Sequence, residues 1–281
     1  MSQPTIRKQR IRRSSVKVRL IVFGTLAVLL ILFSVFSEQL TPYDPYLQDL
    51  SNAKAPPSAE HLLGTDRYGR DMLSRVIVGS RTSIFSTLLL VAVITVLGTA
   101  VGIFCGWNGR WMDTVLMRIS DMFLAFPGLV FALAVAGSLG GGLQNASIAL
   151  AAISWPKYAR IARSQTLAQK ETVWMRAAKL SGSSSGKLIF KHILPNIKDI
   201  ILTRGAMAIS GAMMTEAGLS FLGLGEFGEK SWGSVLHYAF FRNSIMKKQY
   251  WWYVPPIVCI CVCVLGFMLI GYYGKIKKGG E

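Results

Sequence analysis

The sequence predicts an all-α polytopic membrane protein, and three observations carry that prediction. Hydrophobic residues make up 52% of the 281 and charged residues only 16%, an apolar excess that separates the chain from disordered and low-complexity material. Its charges fall between uncharged runs of 18, 28 and 35 residues, where about 20 apolar residues suffice for a helix to cross a bilayer. The basic residues, finally, are shared unequally among the intervening loops. A formal net charge of +17 would suit a nucleic-acid binder, but such a protein carries its charge on a charge-rich surface. Here the charge flanks apolar runs, and no nucleic acid is needed to account for it.

The first span is read at 20–37, behind a basic tail at 1–19 that holds seven Lys and Arg. Its apolar stretch exceeds the roughly 7–15 residues of a signal-peptide core and no Ala-x-Ala site follows, so it reads as an uncleaved helix. Thr82–Gly109 supplies the second span. In it Gly98, Gly102 and Gly106 stand four apart, a small-residue stripe suited to helix packing. The 35 residues from Met122 to Pro156 are too many for one crossing and few for two. Gly140-Gly141-Gly142 marks a turn between two helices, each drawing its inner end from the charged flanks, and Pro127-Gly128 kinks the earlier one.

A fifth span, Ile200–Leu222, is interrupted by Arg204 and Glu216. A sixth, Val254–Tyr273, opens with Pro255-Pro256 in its first turn and is bracketed by Trp251-Trp252-Tyr253 and Tyr272-Tyr273 as interfacial aromatic belts. Six spans result, the last five forming one core over 82–275. Cys105, Cys259, Cys261 and Cys263 all lie in apolar runs and read as packing residues. An intramembrane carboxylate costs about 2.5–3.5 kcal/mol on insertion scales. Glu216 therefore either lines the pathway or forms a structural pair, for instance with an Arg of the outer loop.

Orientation follows from charge. With the N-terminus inside, the inner pieces hold 22 Lys and Arg and the outer pieces 9, which places both termini and the 276–281 tail in the cytoplasm. The outer segments are then 38–81, rich in Pro, and 223–253. The longest inner loop is 157–199. It reads as a helix leaving the fourth span, with Leu167, Val173, Ala177 and Leu180 broadly on one face. A break at Gly182–Gly186 follows, then a short helix capped by Ser184 or Ser185 and leading to Pro195. Two short helices at a sharp angle form a knob that would fit a groove on a soluble partner, or else lie on the anionic leaflet.

Ala177-Ala178-x-x-x-Gly182, with Pro195 thirteen residues further on, resembles the EAA loop of ABC-importer permeases. The wording around it, Arg176-Ala-Ala-Lys-Leu-Ser-Gly182 and Lys191-His-Ile-Leu-Pro-Asn196, is similar to the dipeptide/oligopeptide/nickel branch. So are two further stretches, His61-Leu-Leu-Gly-Thr-Asp-Arg-Tyr-Gly-Arg-Asp-Met-Leu-Ser-Arg75, found before the second span of second-permease subunits, and Glu216-Ala-Gly-Leu-Ser-Phe-Leu-Gly-Leu-Gly225. The resemblance implies a MetI-like permease core of six transmembrane helices in the cell membrane, forming half of a translocation pathway. It implies as partners a second homologous permease, two cytoplasmic ATPase subunits and an extracytoplasmic solute-binding protein, with lipid around the spans. Ala177, Ala178, Gly182, His192 and Pro195 are the implied ATPase-coupling residues. Three departures stand out: Arg176 replaces the acidic residue that heads the family motif, Gly271-Tyr-Tyr-Gly-Lys-Ile-Lys-Lys278 stands where the family usually carries an acidic tail after the last span, and the last outer loop with Tyr250-Trp-Trp-Tyr253 diverges.

ATP and magnesium are expected in the partner ATPases, with no cofactor on this chain. Gly182-Ser-Ser-Ser-Gly186-Lys187 is too short for a phosphate-binding Gly-x-x-x-x-Gly-Lys-Ser/Thr loop. Three scattered His without a catalytic arrangement argue against an enzyme, and His61 and His237 alone do not make a metal site. Peptide is the first choice of cargo by the breadth of the branch, with nickel or a metal chelate behind it. The competing class is a secondary transporter driven by an ion gradient, which would carry inverted repeats and ionisable residues at the midplane. No repeat is apparent.

Overall fold

The computed structural model describes residues 6–225 and 231–278, with side chains placed for 18–225 and 231–274. The remaining parts of the expected tails, and residues 226–230 of the last outer segment, lie outside the described residues. Eleven α-helices follow one another: α1 (Ile6–Val35), α2 (Ser37–Leu40), α3 (Met72–Asn108), α4 (Arg110–Ala125), α5 (Gly128–Ser138), α6 (Leu143–Lys170), α7 (Val173–Leu180), α8 (Ser185–Leu188), α9 (Leu194–Leu219), α10 (Trp232–Phe241) and α11 (Tyr250–Lys278). Among the described residues the only strand-like pairing is an isolated bridge between Thr65 and Asp71. The chain is an all-helical membrane protein.

Four segments are long and apolar enough to cross a membrane: Val18–Val35, Met72–Asn108, Ser185–Leu224 and Tyr250–Gly274. A fifth arises if α4 and α5, bent by 92° at their junction, count as one broken span. The count of six expected from uncharged runs is therefore four or five by length and composition. The shortfall is α6, whose C-terminal half carries Lys157, Arg160, Arg163 and Lys170. The bend has a local cause: Pro127 lacks an N–H and disfavours a helical Phe126, which is extended at ψ 141.

The bundle is built on α3 against α6, the most extensive helix pair, and the glycine stripe explains how closely they approach. A Cβ on Gly98 would fall 2.6 Å from the Trp155 carbonyl oxygen. One on Gly102 would fall 2.7 Å from Ala162 Cβ, and one on Gly106 2.8 Å from Thr166 Cβ. α11 packs on the far side of α9, where Ser210 donates to the Val264 carbonyl at 2.9 Å, and α1 lies against α11. Ion pairs of Arg163 with Asp113 and of Arg160 with Asp121 strap α4 onto α6, and Lys170 Nζ ties the end of α6 to the end of α3 by donating to the Trp107 carbonyl at 2.6 Å.

Several boundaries differ from the sequence reading. α3 starts at Met72 instead of Thr82, so the helix takes its first turns from the segment assigned outside. The charges that hid it are neutralised. Asp71 caps the helix by accepting from the Ser74 amide; Arg75 lies 3.8 Å from Asp66; Arg81 pairs with Glu38. α11 starts at Tyr250, so Pro255-Pro256 lie inside it and not in its first turn. Trp252 is core rather than an interfacial belt, fully buried against Met72, Val76, Val235 and Ala239, while Trp251 Nε1 donates to the Thr65 carbonyl at 3.3 Å.

Candidate functional site

The inner stretch expected at 157–199 opens on the last turns of α6. α6 runs on to Lys170, a turn at Glu171-Thr172 breaks it, and α7 follows. That break divides the face proposed for Leu167, Val173, Ala177 and Leu180. Met175 is the residue that anchors α7, packed against Ile103, Ala162, Leu188, Ile193, Ile197 and Ile201 with Ala178 beside it. Val173 and Leu180 instead point outward, 85% and 90% exposed, and Phe190 is 72% exposed. Ala177 is exposed on the same outer surface.

The end of α7 shows why glycine is required at 182. Its φ is +79, the Gly182 amide donates to the Lys179 carbonyl at 3.1 Å, and the Ser183 amide donates to the Ala178 carbonyl at 3.3 Å. This is a Schellman cap, whose left-handed residue favours glycine. Ser184 then accepts from the Lys187 amide at 3.4 Å and starts α8. The second helix does not end at Pro195. A π-turn at Ile189–Ile193 precedes it and Pro195 is the second residue of α9; the widened turn accommodates the missing N–H and the ring. His192 packs on Trp174 with ring centroids 5.5 Å apart. Ala177, Ala178, Gly182, His192 and Pro195 thus fall along one elbow.

Above the elbow, α3, α6 and α9 enclose a cavity of about 350 Å³. On α9 its wall is Arg204, Ala208, Gly211 and Thr215, at spacings of four, three and four, while Ser210, Met213 and Ala217 face the opposite way into the packing with α11. Leu90 and Ile94 of α3 and Leu150, Ser154, Lys157 and Tyr158 of α6 complete it. Tyr158 donates to the Arg204 carbonyl at 3.4 Å, fixing α6 to α9 at this level. Glu216 is not on the cavity wall. It is 2% exposed and accepts a hydrogen bond from Ser220 at 2.8 Å, a buried polar group within its own helix end. The sequence reading treated Arg204 as an interruption and Lys157 as a loop start. The polar-and-small stripe of α9 was the available signal for Arg204; Lys157 stands on α6 and had no such signal.

In the segment ahead of α3, Asp66 is fully buried and receives the Arg70 guanidinium at 2.6 Å together with the Tyr68 and Arg70 amides. His61 Nδ1 lies 3.0 Å from Asp71. Asp49 sits below the usual carboxylate range because the Ser51 hydroxyl and amide both donate to it. His237 Nδ1 lies 2.7 Å from the Phe221 carbonyl, which can only accept, so that nitrogen carries the proton. Each imidazole is thus engaged locally. No cluster of three or more metal-ligating side chains occurs among the described residues.

A chain with this helical core is a multi-pass membrane protein. Residues 98–274 match the family described as binding-protein-dependent transport system inner membrane component, and the chain belongs to that family. It is a permease subunit of an ABC importer, and the ion-gradient alternative is set aside with that assignment. Among its relatives, the probable D,D-dipeptide transport system permease protein DdpC of Escherichia coli is 38% identical over 250 residues, covering 88% of this chain and 83% of the relative. The dipeptide transport system permease protein DppC of Alkalihalophilus pseudofirmus is 36% identical over 86% of this chain and 79% of its own. The glutathione transport system permease protein GsiD of Pectobacterium atrosepticum is 35% identical over 88% and 82%.

Proposed function

We propose that this permease passes peptides inward through the cavity between α3, α6 and α9, and that the α7 elbow receives the force. The elbow carries the proposal. Val173 and Leu180 on α7, the helix anchored by Met175, and Phe190 in the π-turn that follows are apolar and exposed, and such a surface calls for a covering partner. An ATPase subunit is the partner this reading assigns, Ala177 and Gly182 lying at the contact. Two such subunits bind ATP and magnesium, a second permease supplies the other half of the path, and an extracytoplasmic binding protein delivers cargo. Both termini, the elbow and the charged half of α6 lie on the cytoplasmic side, α6 crossing as a further span. Force on the elbow would bias α6 and α9 between two packed arrangements.

Peptide is favoured over nickel or a metal chelate because the relatives named above are permeases for dipeptides and glutathione. The test is uptake of labelled dialanine into proteoliposomes holding the two permeases, the ATPases and the binding protein. ATP-dependent uptake that survives a proton ionophore is the expected result. Uptake that follows the ion gradient, or nickel uptake in its place, would overturn the reading.

A further inference from the structure

We infer that Lys157 and Arg204 form a carboxylate-binding station in the cavity, taking the C-terminal carboxylate of the peptide. The inference rests on the function proposed above and names the chemical group the path recognises. Both cations line a cavity whose other walls are largely apolar, formed by Leu90, Ile94, Leu150 and Ala208. Among the described lining residues there is no Asp or Glu, so the two positive charges face the space together, and low-dielectric walls concentrate their field.

The space itself is kept by small residues. A Cβ built on Gly211 meets nothing within 4 Å, so the cavity is open about two turns along α9 from Arg204 rather than closed by packing there. The Tyr158 hydroxyl, by donating to the Arg204 carbonyl at 3.4 Å, holds the two cation-bearing helices in one register. A peptide path must accept side chains of every kind, and the terminal carboxylate is common to all of them. Arg adds a planar fork that matches a carboxylate, and Lys a mobile point charge. The same chemistry would accept a phospholipid phosphate, which the experiment separates.

The assembled transporter, without its binding protein, is placed in nanodiscs of zwitterionic lipid and then of lipid containing anionic phosphatidylglycerol. Binding of dialanine and of its C-terminal amide is compared by equilibrium dialysis. The expected result is a preference of about tenfold for the acid over the amide, largely lost in Arg204→Gln, reduced in Lys157→Gln and retained in Arg204→Lys. That preference should be the same in both lipids. Equal binding of acid and amide by the unaltered complex, or a preference that survives both Gln substitutions, would overturn the inference. So would a preference seen in one lipid alone, which would assign the cations to headgroup phosphate. Failure of the proposed function would register separately, as absence of ATP-driven dialanine uptake by the unaltered complex.

Discussion

The segment expected outside, 41–71, and the elbow expected inside, 171–194, both lie at the ends of the bundle, and they dispose of difficult side chains in opposite ways. The outer segment carries buried charge and closes on it: Asp66 with Arg70 and Arg75, Asp71 with His61 and the first turn of α3. The elbow carries apolar side chains and leaves them uncovered, with Val173 and Leu180 turned away from the bundle. One region is complete within the chain; the other leaves apolar surface that the chain itself does not cover. Self-contained polar networks at a protein's margin serve its stability, and uncovered apolar ones serve association.

Substitutions should separate the two regions. The largest stability loss is expected for Asp66→Asn. It removes the buried negative charge that the Arg70 and Arg75 guanidinium groups face, and breaking such a pair costs about 3–5 kcal/mol. Detergent-solubilised protein should unfold at markedly lower temperature, and an unchanged melting profile would deny the network its role. Next comes Gly102→Leu, where α3 and α6 must spread to admit a side chain that would overlap Ala162. Overpacking of this kind costs about 1–3 kcal/mol, again read in thermal unfolding, with loss of uptake if the spread reaches the cavity. Gly182→Ala should cost only about 1 kcal/mol, the strain of a left-handed Ala, and show as faster proteolysis in the Ser181–Ser185 turn.

The smallest effect on stability belongs to Leu180→Ser, since that side chain touches little in this chain. Its melting profile should be unchanged while co-purification of the ATPase falls steeply. A destabilised chain that still retained the ATPase would reverse the contrast between the two regions.

Much of this architecture can be read from local sequence, and the failures share one cause. The α4–α5 bend follows from Pro127, the α5–α6 turn from Gly140–Gly142 (all three with positive φ), and the Gly98–Gly102–Gly106 stripe from spacing alone. The start of α3 could not be seen because Arg75 and Arg81 look like loop charges until Asp66 and Glu38 are brought beside them. Trp252 resembled an interfacial anchor because its neighbours, Met72 and Val76, are remote in sequence. The cavity was the least legible feature. It exists only where faces of three helices meet, and each contributes a few residues that look unremarkable on their own helix. Glu216 drew attention as a lone intramembrane carboxylate, yet its bond to Ser220 lies within four residues and its place off the cavity wall depends on helix rotation.

The most direct measurement is thiol labelling of Ala177→Cys in a chain whose four native cysteines are replaced by Ser. Ala177 is exposed on the elbow beside Leu180. A membrane-impermeant maleimide should label it in inside-out vesicles stripped of the ATPase, and adding back the ATPase subunits should protect it. Labelling from the outside of intact cells, or labelling indifferent to the ATPase, would contradict an elbow that takes its force from a cytoplasmic partner.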